Sequence, residues 1–269
     1  MKFIHLSDIH LGAPGALIEG LDPYERLARA FGHMAEHHAD AARLVITGDL
    51  THHANPDAYA ALRDAIKILP MPVRLMVGNH DERGAFFSAF PDHPRDENGF
   101  VNYAEDVLGT RFIYCDTALP QSHAGAFCEQ RRAWLATQLA MSETALLFFH
   151  HNILDVGDPC TDVLSLNKED QAVLRALLTA HKHKIGHLFF GHVHASLCGT
   201  MAGIPFSGVA STLHQTIPSL APSMESPSGP LEPSYRVVLV RGEDVVIHQI
   251  PFAYDGEVTW HGNDWEDWA

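Results

Sequence analysis

Five short clusters of carboxylate, imidazole and carboxamide side chains recur along the chain: Asp8-Ile9-His10, Gly48-Asp49, Gly78-Asn79-His80-Asp81, His150-His151 and Gly191-His192-Val193-His194. Histidine is the commonest metal ligand among side chains, and here 20 histidines slightly outnumber the 18 Lys and Arg together. Nitrogen and oxygen ligands without thiolate suit Mn, Fe, Co or Zn. Two such divalent ions about 3.5–4 Å apart can clamp an in-line displacement at phosphorus. Holding two cations that close requires a shared anionic bridge, for which Asp49 is positioned. Neutral imidazoles and the Asn79 carbonyl complete the ligand set without making it too anionic to accept a phosphate. Each cluster has a plainer explanation when taken alone. Asp-x-His suits a turn with a helix cap, Gly-Asp is a common turn dipeptide, Asn79 tolerates a left-handed turn, and His150 suits a satisfied core histidine. Their joint occurrence, in order and at strand ends, is what points to chemistry.

The elements that must position these clusters are legible in the apolar pattern. Lys2–Ser7, Arg43–Thr47 and Pro72–Val77 read as strands, and the segments 23–38 and 57–69 between them carry apolar residues at helical spacing. That alternation predicts a parallel sheet with right-handed crossovers. In the second half, 111–115, 145–149 and 187–190 read as strands, 130–139 and 168–180 as helices, and 235–241 with 244–250 as a hairpin around Gly242-Glu243. Five of these strands end on a candidate ligand, and in an α/β sheet the ligand site lies beyond the carboxyl ends of the strands. The five clusters are therefore expected to meet.

Bulk properties narrow the function classes. The 269 residues, 46% apolar, suit one α/β domain spanning 1–269. Within it, 216–234 is a Pro/Ser-rich loop and 259–269 a Trp-rich acidic tail. A net charge of −15 argues against long nucleic acid as a partner. No apolar run reaches the roughly 18 residues of a membrane span, and Asp8 interrupts any secretory signal. Cys115, Cys128, Cys160 and Cys198 are scattered and read as free thiols of a reducing cytoplasm. His37-His38, His52-His53, His181 and His183 are expected on solvated faces.

Taken together, Asp8-x-His10, Gly48-Asp49, Gly78-Asn79-His80-Asp81, His150 and Gly191-His192-x-His194 resemble the complete signature of the calcineurin-like metallophosphoesterase superfamily. The resemblance implies an αββα sandwich, two mixed β-sheets flanked by helices. It implies two divalent transition-metal ions, one held by Asp8, His10, Asp49 and His194 and the other by Asp49, Asn79, His150 and His192. It also implies that His80 faces the substrate and assists the leaving oxygen, with Asp81 orienting it, and that water activated between the metals attacks a small phosphodiester. Within the superfamily the spacings look most like bacterial class III cyclic-nucleotide phosphodiesterases and the related glycerophosphodiesterase. Ser211–Gln215 resembles a stretch of the latter, which places His214 and the loop after it at the substrate pocket. One departure is His150-His151-Asn152-Ile153, where many relatives carry His-His-Pro-Pro. Relatives form dimers or larger assemblies, so a homo-oligomer fits the resemblance, with the Trp-rich tail as a conjectured contact. The alternatives are a phosphomonoesterase, a DNA-repair nuclease, a lipid-sugar pyrophosphatase and a scaffold without catalysis. The nuclease is disfavoured by the acidic charge, the pyrophosphatase by the lack of an amphipathic membrane-facing helix, and the scaffold by the full ligand set. His52 or its neighbour His53 stands where purple acid phosphatases carry a tyrosine ligand, which argues against a ferric–tyrosinate centre.

Overall fold

A computed structural model of the protein describes residues 1–259; the Trp-rich acidic tail, from Trp260 on, lies outside the described residues. The first half runs β1 (Lys2–Leu6), α1 (Pro23–His37), β2 (Leu44–Ile46), α2 (Pro56–Ala65), β3 (Val73–Leu75), α3 (Arg83–Ala89), β4 (Tyr103–Val107) and β5 (Thr110–Cys115). The second continues with α4 (Glu129–Ala140), β6 (Ala145–Phe149), α5 (Pro159–Val163), α6 (Lys168–Ala180), β7 (Ile185–Phe190), β8 (Leu197–Met201) and β9 (Ile204–Gly208). Short β10 (Gln215–Thr216) and β11 (Ser228–Gly229) precede the long hairpin of β12 (Ser234–Arg241) and β13 (Asp244–Pro251). Helices α1 and α2 start where the sequence offers caps. Asp22 accepts from the amides of Tyr24 and Glu25 ahead of α1, Asn55 does the same for Asp57 and Ala58 ahead of α2, and both helices open on proline.

The strands form two mixed sheets, one ordered β13-β12-β1-β2-β3 and the other β4-β5-β6-β7-β9-β8. β1, β2 and β3 are parallel, as the alternating pattern predicts, while the β12–β13 hairpin adds antiparallel strands beside β1. In the second sheet, parallel β5, β6, β7 and β9 are bounded by antiparallel β4 and β8. Side chains of a strand alternate between faces, and this alternation sorts the core. Phe112, Tyr114, Phe148 and Phe189 join the core between the sheets, where the Phe3 ring lies 5.0 Å from Phe112, 5.9 Å from Phe148 and 5.5 Å from Phe189. Their neighbours Ile113, Cys115, Leu147, Phe149, Leu188 and Phe190 face the other way, against Leu135 and Leu139 of α4 and Leu174 and Leu178 of α6. On the first sheet, Ile4 and Leu6 share a cluster with Leu27, Phe31 and Met34 of α1 and Leu62 of α2. The result is the expected sandwich of two sheets flanked by helices. Among the described residues no helix is long and apolar enough to cross a membrane.

Seven elements were not foreseen: β4, β8, β9, β10, β11, α3 and α5. β4 carries Glu105 and Asp106, charges that mask its apolar alternation; it is an edge strand. β8 contains Gly199 and is largely exposed, and its partner β9 carries Pro205. Both residues weaken a strand pattern and are tolerated near an edge. Helix α3 is short, and α5 shorter still. The Pro/Ser-rich loop is also less free than its composition suggests. Gln215 pairs with Gly229 and Thr216 with Ser228, so β10 and β11 pinch its base shut.

Candidate metal centre

β1, β2 and β3 deliver Asp8, His10, Asp49 and Asn79 from one sheet, and β6 and β7 deliver His150, His192 and His194 from the other. The site therefore straddles the carboxyl ends of both sheets, not the crevice of one. Bringing five strand ends together forces abrupt turns. Ten described non-glycine residues have positive φ, and five of them are Asp8 (55°), His10 (45°), Asp49 (48°), His192 (66°) and His194 (50°). A residue held in this left-handed region costs of order 1–3 kcal/mol, and such outliers cluster at functional sites. The turns also pass very close together. A Cβ on Gly78 would lie 2.7 Å from His150 Cε1 and closer still to the Asp49 carboxylate, and one on Gly191 would lie 2.7 Å from Asp8 Oδ2.

The expected ligands converge in two groups sharing Asp49. In the first, His10 Nε2 lies 3.0 Å from His194 Nε2 and 3.7 Å from Asp49 Oδ2, and His194 Nε2 lies 3.3 Å from Asp8 Oδ1. In the second, Asn79 Oδ1 is 3.0 Å from His150 Nε2 and 2.9 Å from His192 Nδ1, and Asp49 Oδ1 is 3.4 Å from His150 Nε2. Asp49 thus turns one oxygen to each group. Backbone carbonyls set the tautomers: His150 Nδ1 donates to Thr47 O at 2.8 Å and His194 Nδ1 to His214 O at 3.1 Å, which leaves each Nε2 lone pair facing the cluster. Facing lone pairs flanked by two buried carboxylates must be neutralised by protons or a cation, and this nitrogen–oxygen donor set fits divalent transition metals.

Electrostatics point the same way. Burial opposes ionisation of Asp8 and Asp49, yet the neighbouring histidines hold both carboxyls below the usual range, His194 foremost for Asp8 and His150 for Asp49. Burial likewise works against a charged His150, but Asp49 outweighs it and pushes the imidazole up to about 9. His192 is pushed down to about 3 by burial and then by His150. The two carboxylates keep their negative charge, and positive charge from protonated histidines or a bound cation balances it.

His80 sits beside this centre with its backbone amide on Asp49 Oδ1 at 2.9 Å. Its Nδ1 donates to the carbonyl of His52 at 2.7 Å, so Nε2 is the ring nitrogen left to act. Asp81 was expected to orient His80, but its carboxylate is not hydrogen-bonded to the His80 ring. It accepts instead from the amides of Leu50 (3.0 Å), Thr51 (3.1 Å) and Gly78 (2.9 Å) and from the hydroxyls of Thr51 (3.2 Å) and Tyr59 (2.8 Å). Asp81 ties the turn after β2 to the turn after β3, and so acts on the geometry of Asp49 and Asn79. Burial, and then the charge of Asp49, raise its carboxyl to about 6.

Sequence reasoning missed other residues. His52, expected on a solvated face, packs its ring on His80 at 5.1 Å and 17°. His123 Nδ1 lies 3.0 Å from Asn79 Nδ2 and accepts from it, which turns Asn79 Oδ1 toward the histidines. No strand end or motif marks His123. His151 is buried next to the second group, within 4.8 Å of the ring nitrogens of His150 and His192, but Thr117 Oγ1 at 2.7 Å and His123 O at 3.2 Å engage its own two nitrogens. His214 lies beside the first group, its ring 4.6 Å from that of His194. The cluster opens into a cleft of about 260 Å³ whose walls include Asn79, His80, His123, His192, His194, His214 and Glu19.

Comparison with known proteins decides what this centre belongs to. Residues 1–196 match the sequence model of the Calcineurin-like phosphoesterase family. A probable cyclic nucleotide phosphodiesterase of Rhodopseudomonas palustris is 37% identical over 262 residues, 95% of this chain and 94% of its own. The chain belongs to the calcineurin-like phosphoesterase family. A glycerophosphodiester phosphodiesterase of Enterobacter lignolyticus is also similar to this calcineurin-like phosphoesterase, 25% identical over 80% of this chain and 78% of its own. Among solved structures, a purple acid phosphatase from yellow lupin shares the fold with a TM-score of 0.68 at 14% identity, over 96% of this chain and 52% of its own. Members of the family use divalent metals, and the matched residues include every expected ligand together with His80 and Asp81, but not His214.

Proposed function

We propose that this calcineurin-like phosphoesterase hydrolyses small phosphodiesters at a pair of divalent transition-metal ions. The observation that carries the reading is Asp49, a buried carboxylate with one oxygen turned to each of two converging ligand groups. Asp8, His10, Asp49 and His194 would hold one ion, and Asp49, Asn79, His150 and His192 the other. Mn, Fe, Co or Zn suits this donor set, and such a pair supplies an acidified water and neutralises charge on the phosphoryl oxygens. The chain's own groups do the rest. Asp8 is fixed by the amide of His192, which lies 3.2 Å and 3.0 Å from its two oxygens. His123 holds the Asn79 amide in one orientation. His80, tethered through Nδ1, would deliver a proton from Nε2 of its doubly protonated ring to the departing alkoxide and be left as the neutral Nδ1–H imidazole. His214 and the pinched loop behind it border the substrate.

The named activities of the similar proteins, on cyclic nucleotides and glycerophosphodiesters, support a small diester as substrate, as does a cleft of about 260 Å³. Net charge of −15 supports the exclusion of long nucleic acid. The test is hydrolysis of bis(p-nitrophenyl) phosphate against p-nitrophenyl phosphate by metal-stripped protein with Mn, Fe, Co or Zn restored. Metal-dependent preference for the diester is expected, followed by turnover of glycerophosphodiesters or cyclic nucleotides. Activity on the monoester alone would replace the reading with a phosphomonoesterase, and inactivity with every metal would replace it with a scaffold.

A further inference from the structure

The cleft that must receive a phosphate anion has no lysine or arginine in its lining among the described residues. Neither has the neighbouring cavity of about 510 Å³, whose walls include Ala16, Leu17, Ile18, His52 and His53. Glu19 lines both cavities. Apart from Asp49, whose oxygens face the ligand groups, it brings the only carboxylate to the cleft lining among the described residues.

Glu19 is held there at a conformational cost. Ile18 and Leu21 exchange two backbone hydrogen bonds of 2.9 Å, closing a two-residue turn in which Glu19 (φ 51°) and Gly20 (φ 78°) are both left-handed. Such turns favour Asn, Asp or Gly at the first central position, and glutamate gains nothing from the backbone there. Its side chain, half exposed, reaches across the cleft instead. Oε1 lies 3.7 Å from His214 Nε2, and Oε2 accepts from Ser228 Oγ at 3.4 Å. Since the His214 ring lies 4.6 Å from the His194 ring, one side chain separates the Glu19 charge from the metal-ligand cluster.

We propose that Glu19 is a specificity-determining residue of the cleft. Its carboxylate repels a second negative charge on the substrate and accepts hydrogen bonds from hydroxyls on an uncharged arm. The ligand class is a monoanionic phosphodiester with a neutral, hydroxyl-bearing arm. This inference rests on the phosphodiesterase reading. A monoester carries a charge near −2 at neutral pH because its second pKa is about 6, and no lysine or arginine in either cavity offsets it against Glu19.

The test uses the metal-loaded full chain and matched esters with one leaving group. p-Nitrophenyl phosphate against methyl p-nitrophenyl phosphate reads charge, and glyceryl against ethyl p-nitrophenyl phosphate reads hydroxyls. Glu19→Gln removes the charge and keeps an acceptor; Glu19→Ala removes both. Glu19→Gln is expected to shift the ratio of kcat/KM about tenfold toward the dianionic monoester, mainly through KM, while the glyceryl preference survives. Glu19→Ala should show the same charge shift and lose the glyceryl preference. Calorimetric binding of inorganic phosphate against dimethyl phosphate should move in parallel. If the wild type hydrolyses the diester and neither variant changes the charge ratio, the role of Glu19 is overturned. A glyceryl preference that survives in Glu19→Ala overturns hydroxyl recognition. A wild type that hydrolyses no ester with any metal overturns the phosphodiesterase reading, and this inference with it.

Discussion

Asp49 and His80 are neighbours in the site but differ in what they hold. Asp49 faces both ligand groups, so Asp49→Ala should lose bound metal and activity together, measured by elemental analysis of the purified variant beside its rate. His80 touches the centre through its backbone amide and presents a ring nitrogen to the cleft. His80→Ala should keep its metal and lose about 10²–10⁴ in rate on a diester with a poor leaving group; full activity there would remove His80 from the chemistry. Asp81 is a structural clasp with five donors on its carboxylate. Asp81→Ala strands those donors, and a loss of about 3 kcal/mol or more in stability is expected, with a lower melting temperature and weaker metal binding as the readouts. The candidate ligand positions were legible in the sequence because each follows a short apolar run that ends in a turn. The contacts of Asp81, His52 and His123 were not, because side-chain direction at a tight turn and pairing across 44 positions, as for Asn79 and His123, leave no local pattern.

At the scale of elements, the strand ends carry the strain and the glycines carry the proximity. Gly78 has backbone and side-chain atoms of Asp49 and the ring of His150 where a Cβ would go. None of these is the free end of a flexible side chain. Gly78→Ala should therefore force the β3 turn away from the β2 turn, lowering both metal content and melting temperature; a variant with normal metal stoichiometry would show that the turns have room to yield. The apolar strands β1, β2, β5, β6 and β7 were legible from composition, and α1 and α2 from spacing and caps. The edge strands of the second sheet were not: β4 reads as charged and β8 as exposed, since an edge buries less and needs less apolar residue. The clasp of β10 and β11 rests on two residue pairs, too few for any periodicity.

For the molecule as a whole, the two sheets must stay in register for one centre to draw on both. Besides the shared aromatic core, a charged bridge joins them. Glu105 of β4 pairs with Arg43, just ahead of β2, and with Arg74 of β3, whose Nη2 lies 2.8 Å from Oε2. Half-burial opposes a charged Glu105, but Arg74 and Arg43 outweigh it and hold its carboxyl below the usual glutamate value. A folded-state pKa below the unfolded one stabilises the fold above the unfolded value, and that contribution is lost as pH falls through the folded one. The difference in melting temperature between wild type and Glu105→Gln should therefore be present at about pH 7 and shrink as pH falls through the acid range. A difference independent of pH would assign the effect to packing. That the clusters from both halves would meet was legible from their common place at strand ends; that two sheets share them was not, because the apolar pattern gives strands and not their partners.

The most direct measurement is metal stoichiometry against activity. Metal-free protein, titrated with Mn or Zn while bis(p-nitrophenyl) phosphate hydrolysis is followed, should bind two ions per chain and gain activity as the pair of sites fills. Hydrolysis that persists at full rate in the stripped protein, or saturation at one ion with full activity, would contradict a centre built on a shared Asp49.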